Sequence, residues 1–313
     1  MGWTLRVGTV VMVLVGGMPA RGEEPGRKRY VIIHSDDAGM SHAVNLGTIE
    51  ALEKGIVTSC SIMVPCPWFP EFAAYARAHP EKDYGIHLTL TSEWNHYRWG
   101  PVAPRSRVPS LIDEQGFLWD NTKQVAEHVR AEEVEIELRA QIDRAKAFGV
   151  PLTHIDTHMG ALFSRADLAR LYVRIGIEYG LPPLFVRVPR TVLEAEYPAL
   201  APVAGEIVET LEAAGMPVLD AVETENYGVP AEKKKAHFLK VLRNLRPGTT
   251  EIIIHCATRN AELDAITASS ARRDADRRVF LDPEVIAAAK GHDLELITWK
   301  QFHRMAVRAG RSR

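Results

Sequence analysis

The chain reads as an α/β protein on a mainly parallel sheet, closed or nearly closed into a barrel of seven or eight strands. Two observations predict this. From residue 29 onward, short apolar runs rich in β-branched residues alternate with amphipathic segments of helical length, with no internal repeat. Several of those runs end in Asp or His, where α/β folds place their chemistry. The chain has 313 residues, 46% of them hydrophobic, enough for one large domain over residues 29–306 with a short tail at 307–313.

Tyr30 to Ile33 form the first strand, and Asp36 and Asp37 stand where it hands over to a loop. Ser41 caps a helix to about Lys54, with Gly55 as a left-handed stop. Val57 to Val64 is a second strand, and Pro67 opens a helix with Phe69, Phe72, Tyr75 and Ala76 on its apolar face. Tyr84 to Leu90 alternates as a third strand. Residues 91–122 lack lasting periodicity, and a long aromatic-rich loop inside a compact domain is more often functional than idle. Val134, Leu138, Ile142 and Ala145 mark a long helix closed by Gly149.

Pro151 to His158 is a short strand ending in a polar cluster. Ser164 with Asp167 resembles a capping box for a helix through Tyr179, and Leu184 to Val188 is a further strand. Residues 191–228 are read as helix, short strand and loop. Pro230 begins a helix bearing Phe238, Val241, Leu242 and Leu245, followed by the strand Glu251 to Ile254 and then His255. Asp282-Pro283 caps a helix that Gly291 stops, and Leu294 to Ile297 is the last strand.

With 38 basic and 40 acidic residues, nothing points to nucleic acid or an anionic membrane surface. Cys60, Cys66 and Cys256 are too few for a disulfide framework and read as small buried residues. Residues 1–28 resemble an export signal and polar linker: Arg6 precedes an apolar run from Val7 to Gly17, with the small residues Ala20 and Gly22 near the expected cleavage. That run is too short for a stable membrane anchor, so an exported, periplasmic or extracellular protein is expected. A misassigned start codon would instead leave it cytoplasmic.

Asp36, Asp37, His87, His154, Asp156, His158 and His255 all fall at or just after strand C-termini, which share one rim in a parallel barrel. Adjacent carboxylates repel unless a metal, a cation or a shared proton relieves them. An isolated Asp-Asp is more often a turn and a helix cap, but four strands delivering Asp or His to one rim shift the balance. Two imidazoles and one carboxylate suit Zn, Fe, Ni or Mn and leave positions open for water and substrate, with the second aspartate free to act as a base.

The segments SDDAGMS, GIHLTLT, THIDTHMG and IIIHCA, in this order and spacing, resemble the YdjC-like (ChbG-type) carbohydrate deacetylases, relatives of the NodB polysaccharide deacetylases. The resemblance spans residues 29–305 and implies a deformed (β/α) barrel that removes an acetyl group from an N-acetylated amino-sugar oligosaccharide. It implies Asp37, His87 and His158 as ligands of one divalent metal, Zn or Mg first and Mn or Co also compatible. Asp36 would be the general base and His255 the general acid. His154 and Asp156 are read as orienting residues or further ligands. The chain departs from its relatives at Gly160 and at Cys-Ala-Thr-Arg after His255.

Trp94, Tyr97, Trp99 and Trp119 offer faces for sugar rings or pack the loop onto the barrel, and Arg259, Arg272 and Arg273 line the rim or sit in solvent. A homodimer is compatible with the sequence. Hydrolysis of another ester or phosphoester, or sugar binding without turnover, are the alternative readings.

Overall fold

The computed structural model describes residues 28–94, 96–291 and 293–311. The expected export signal lies outside the described residues. In chain order the elements are β1 (Arg29–Ala38), α1 (His42–Lys54), β2 (Ser59–Ile62), α2 (Phe69–Ala78), β3 (Tyr84–Leu88), α3 (Thr122–His128), α4 (Ala131–Ala147), β4 (Leu152–Thr157) and α5 (Ala166–Tyr179). They continue with α6 (Arg190–Glu196), α7 (Ala204–Ala213), β5 (Ala221–Glu223), α8 (Lys234–Asn244), β6 (Gly248–Ile254), α9 (Ala261–Ile266), α10 (Ser270–Leu281), α11 (Pro283–Gly291), β7 (Leu294–Leu296) and α12 (Trp299–Arg311).

The seven strands pair in parallel in the order β4-β3-β2-β1-β6-β5, with β7 also on β1. β1 is the axis of this sheet: β6 covers one edge, while β7 and then β2 share the other. Between β4 and β5 the circle is continued by single bridges, Ile155 to Pro183 and Val186 to Leu219. The strand expected at Leu184 to Val188 therefore does not form a regular ladder. Pro182, Pro183 and Pro189 lack the N–H groups that a ladder requires.

Side-chain alternation divides the protein into two cores. Val31 and Ile33 of β1 join the large apolar layer beneath the helices. Tyr30 and Ile32 face the other way, into a smaller cluster with Val186, Leu219, Val222, Ile297, Trp299 and Phe302. Trp299 is fully buried at the base of this inner cluster. Its indole N–H donates to Glu251 Oε1 at 2.9 Å, and its ring stacks on His154 with centroids 5.0 Å apart. His34 and Asp36 continue the inward column of β1 upward to the rim.

Local signals behaved unevenly. Ser41 caps α1 through Val44 N–H, but Gly55 has φ −101°, not a left-handed value; the added Cβ there would lie 2.7 Å from Phe280 O, so close packing explains the glycine. Ser164 does not cap α5, because its hydroxyl donates to Ala161 O and Asp167 is paired with Arg165. α2 starts at Phe69 with Pro70 in its first turn, so Pro67 lies before it. All three cysteines are free and buried. No helix among the described residues is long and apolar enough to cross a membrane.

Candidate metal centre and active site

A regular strand sends adjacent side chains to opposite faces, so Asp36 and Asp37 should diverge. The backbone prevents this. Asp37 adopts φ +71°, and the β1–β2 register shifts between Ser35 and Ala38, a bulge that brings both carboxylates to the rim. Asn45 Oδ1 accepts Gly39 N–H at 2.7 Å just beyond the bulge, and Met40 N–H returns to Asp37 O.

Asp37 Oδ1 is 3.4 Å from both His87 Nε2 and His158 Nδ1. The opposite ring nitrogens are held by carboxylates: His87 Nδ1 is 2.6 Å from Asp156 Oδ1, and His158 Nε2 is 2.9 Å from Glu93 Oε1. Asp37 Oδ2 is held in turn by Arg273 at 2.7 Å, leaving the buried Oδ1 without a hydrogen-bond partner. Two imidazoles and a carboxylate, each fastened from behind and each turning a free atom to one point, fit a divalent ion. The sequence marks no role for Glu93, and for Arg273 it leaves open a place on the rim or in solvent; the structure puts Arg273 on the rim. Neither lies at the end of a strand, and only the fold brings them to this point.

The charges around the centre shape its titration. Burial disfavours the His158 cation, yet Glu93 and Asp37 raise it to about 9. Burial likewise opposes the His87 cation, but Asp156 and Asp36 hold it well above the usual imidazole range. Asp37 resists the effect of burial through Arg273 and the two imidazoles, and stays well below the usual carboxylate range.

His255 follows β6 and approaches from the other side, its Nε2 3.9 Å from Asp36 Oδ2. Burial lowers it to about 4; Asp37 acts against that shift and Arg273 adds to it. Its backbone N–H donates to Asp276 Oδ2 at 3.2 Å, and Asp276 forms a buried ion pair with Lys234. The segment after it is pressed against α1: a Cβ at Gly47 would lie 2.4 Å from Ala257 Cα, and Thr258 N–H donates to Ala43 O. These contacts fix where His255 stands.

Asp156 and His154 lie below the rim. Asp156 backs His87, whereas His154 points into the barrel beside His34 and is not part of the Asp37, His87 and His158 group. Among the loop residues, Trp99 is buried and donates to Thr91 O, Trp119 donates to Ser110 O, and the Tyr97 hydroxyl donates to Met40 O. Glu137 of α4 fastens the same loop by accepting Val102 and Ala103 N–H at 2.9 and 2.8 Å. Trp94 is the loop aromatic beside the centre, with the Arg273 guanidinium 5.0 Å from its ring centroid. Arg259 is exposed and paired with Asp264.

This arrangement coincides with a family match: residues 30–290 fit the profile described as YdjC-like protein. The chain belongs to the YdjC-like family. A YdjC-like relative from Thermus thermophilus, named carbohydrate deacetylase, is 35% identical over 88% of this chain and 94% of its own. One from Thermoanaerobacter pseudethanolicus, of the same name, is 28% identical over 87% of this chain and 98% of its own. A solved structure from Enterococcus faecalis, described as a candidate cellobiose-phosphate cleavage protein, superposes with a TM-score of 0.73 at 26% identity. It covers 88% of this chain and 98% of its own.

Proposed function

We propose that this chain is a metal-dependent carbohydrate N-deacetylase, releasing acetate from an N-acetylated amino-sugar oligosaccharide. The observation that carries the reading is the convergence of Asp37 Oδ1, His87 Nε2 and His158 Nδ1, with Asp156, Glu93 and Arg273 fastening them from behind. The names of the full-length relatives support the substrate class. An ion held there would polarise the acetamide carbonyl and acidify water.

The protein's own residues supply the proton traffic. Asp36 Oδ1 accepts the Ser61 hydroxyl at 3.2 Å, and Oδ2 faces the rim, 3.8 Å from His87 Nε2. Oδ2 is thus placed to take a proton from the attacking water. His255, neutral in the resting site, gains a proton during the cycle, and Asp36 at 3.9 Å is the adjacent source. His255 then protonates the leaving amine as the carbon–nitrogen bond breaks, so acetate and a free amine leave together. The apolar segment over residues 7–17 supports export, with the rim working on extracytoplasmic sugar.

The test couples elemental analysis to acetate release from a panel of N-acetylated oligosaccharides, with and without chelator. Acetate release that stops on chelation is the expected result. Unchanged metal content in both His87→Ala and His158→Ala would remove the rim centre.

Two further outcomes follow from the surroundings of the ligands. Glu93→Ala frees the far side of His158 and should weaken metal retention by about 10–100-fold, read by competition with a chromophoric chelator. Metal affinity should also rise with pH. His158 holds its proton up to about 9 in the metal-free site, so binding at pH 7 releases that proton. Each pH unit gained below that point should raise affinity about tenfold per displaced proton. An affinity that is flat from pH 6 to 8 contradicts this.

A further inference from the structure

Beneath the rim, the hydrogen-bond donors run out before the acceptors do. Ser59 has one hydroxyl proton, and its Oγ is 3.1 Å from Asp83 Oδ1 and 3.0 Å from His34 Nδ1. With that proton given to Asp83, His34 Nδ1 is the donor to Ser59. Thr153 donates to Asp83 Oδ1 at 2.9 Å, so His154 Nδ1, 2.9 Å from Thr153 Oγ1, also carries a hydrogen. In neutral imidazoles both Nε2 atoms are then lone pairs.

These two lone pairs meet a carboxylate. His34 Nε2, His154 Nε2 and Asp156 Oδ2 are all buried, and none has a hydrogen-bond partner. His34 Nε2 is 3.1 Å from Asp156 Oδ2 and 3.1 Å from Asp36 Oδ1, without a well-directed hydrogen bond to either. The three residues offer ligand atoms that lie within 4.8 Å of one another. A Cβ at Gly85 would stand 2.3 Å from His154 Nε2, so the glycine leaves the imidazole its place. Acceptors gathered in a buried interior call for a cation.

We propose that His34, His154 and Asp156 hold a second divalent ion of the zinc class inside the barrel, with Asp36 Oδ1 closing its coordination. Two imidazoles with carboxylate oxygen favour zinc over magnesium or calcium, with metal–ligand bonds of about 2.0–2.2 Å. All four side chains are buried, which describes a closed, structural site. Asp156 uses Oδ1 for His87 and Oδ2 for this ion, so one carboxylate joins the interior to the rim. Burial opposes a charge on His34, but the carboxylates of Asp156 and Asp36 raise it to about 10, the same field that draws a cation.

Zinc content of the full chain, loaded with zinc and freed of excess by gel filtration, tests this. About two equivalents are expected in the wild type, about one in His158→Ala or in His34→Gln, and none in the double variant. One equivalent in the wild type and none in His158→Ala overturns the proposal and leaves the interior cation as a proton on His34. One equivalent that survives His158→Ala but is lost in His34→Gln keeps the interior site and defeats the rim reading instead. Should His34→Gln fail to fold, His158→Ala loaded with cobalt(II) decides: intense visible absorption of four-coordinate cobalt is expected, and a colourless protein overturns the site.

Discussion

Asp36→Asn is expected to lower deacetylation turnover by about 10³-fold while metal at the rim is retained. The amide keeps the shape of the carboxylate and still offers an oxygen to the Ser61 hydroxyl, so the column from His34 to the rim stays filled. What it cannot do is take up a proton. Acetate release and metal content measured on one preparation separate the two roles. If metal at the rim were lost and residual turnover tracked that loss, Asp36 and Asp37 would have to exchange their assignments as base and ligand.

Trp299→Ala should cost about 4 kcal/mol of folding stability, the usual scale for deleting a fully buried aromatic. The damage has two parts. Packing is lost against His154 and Phe302, and Glu251 Oε1 loses its indole donor in a fully buried setting. Trp299→Phe refills most of the volume but gives Glu251 no donor, so it isolates the hydrogen-bond part, about 1–3 kcal/mol. Urea unfolding of the three proteins measures both. A Trp299→Ala protein within about 1 kcal/mol of wild type would mean the barrel base is held by other side chains.

Much of the fold was legible because period-2 and helical patterns survive wherever one face meets the large apolar core. β1, β3, β4 and β6 are plain for that reason, and so are α4 and α5. α9 and α10 escaped notice: Arg273 and Asp276 are buried there, and charged residues at inward positions erase an amphipathic pattern. α12 also passed unread, although Trp299 and Phe302 anchor it. The strand-end histidines and aspartates stood out as a set. Glu93 could not, since a lone acid in a loop carries no spacing that marks it, and Arg273 was one of three arginines that the sequence could not divide between rim and solvent. His34 was hidden in another way, as one polar residue in an apolar strand whose role depends on Ser59, His154 and Asp156, which only the fold brings to it.

The left-handed turn at Asp37 limits how this centre can vary. Asp, Asn and Gly tolerate that backbone region best, and of these only Asp brings a negative charge. Glutamate would keep the charge but pay a conformational penalty of about 1–2 kcal/mol and overreach by a methylene. Position 37 is thus chosen twice, by the conformation the chain must hold and by the chemistry the rim requires, and a single amino acid satisfies both demands.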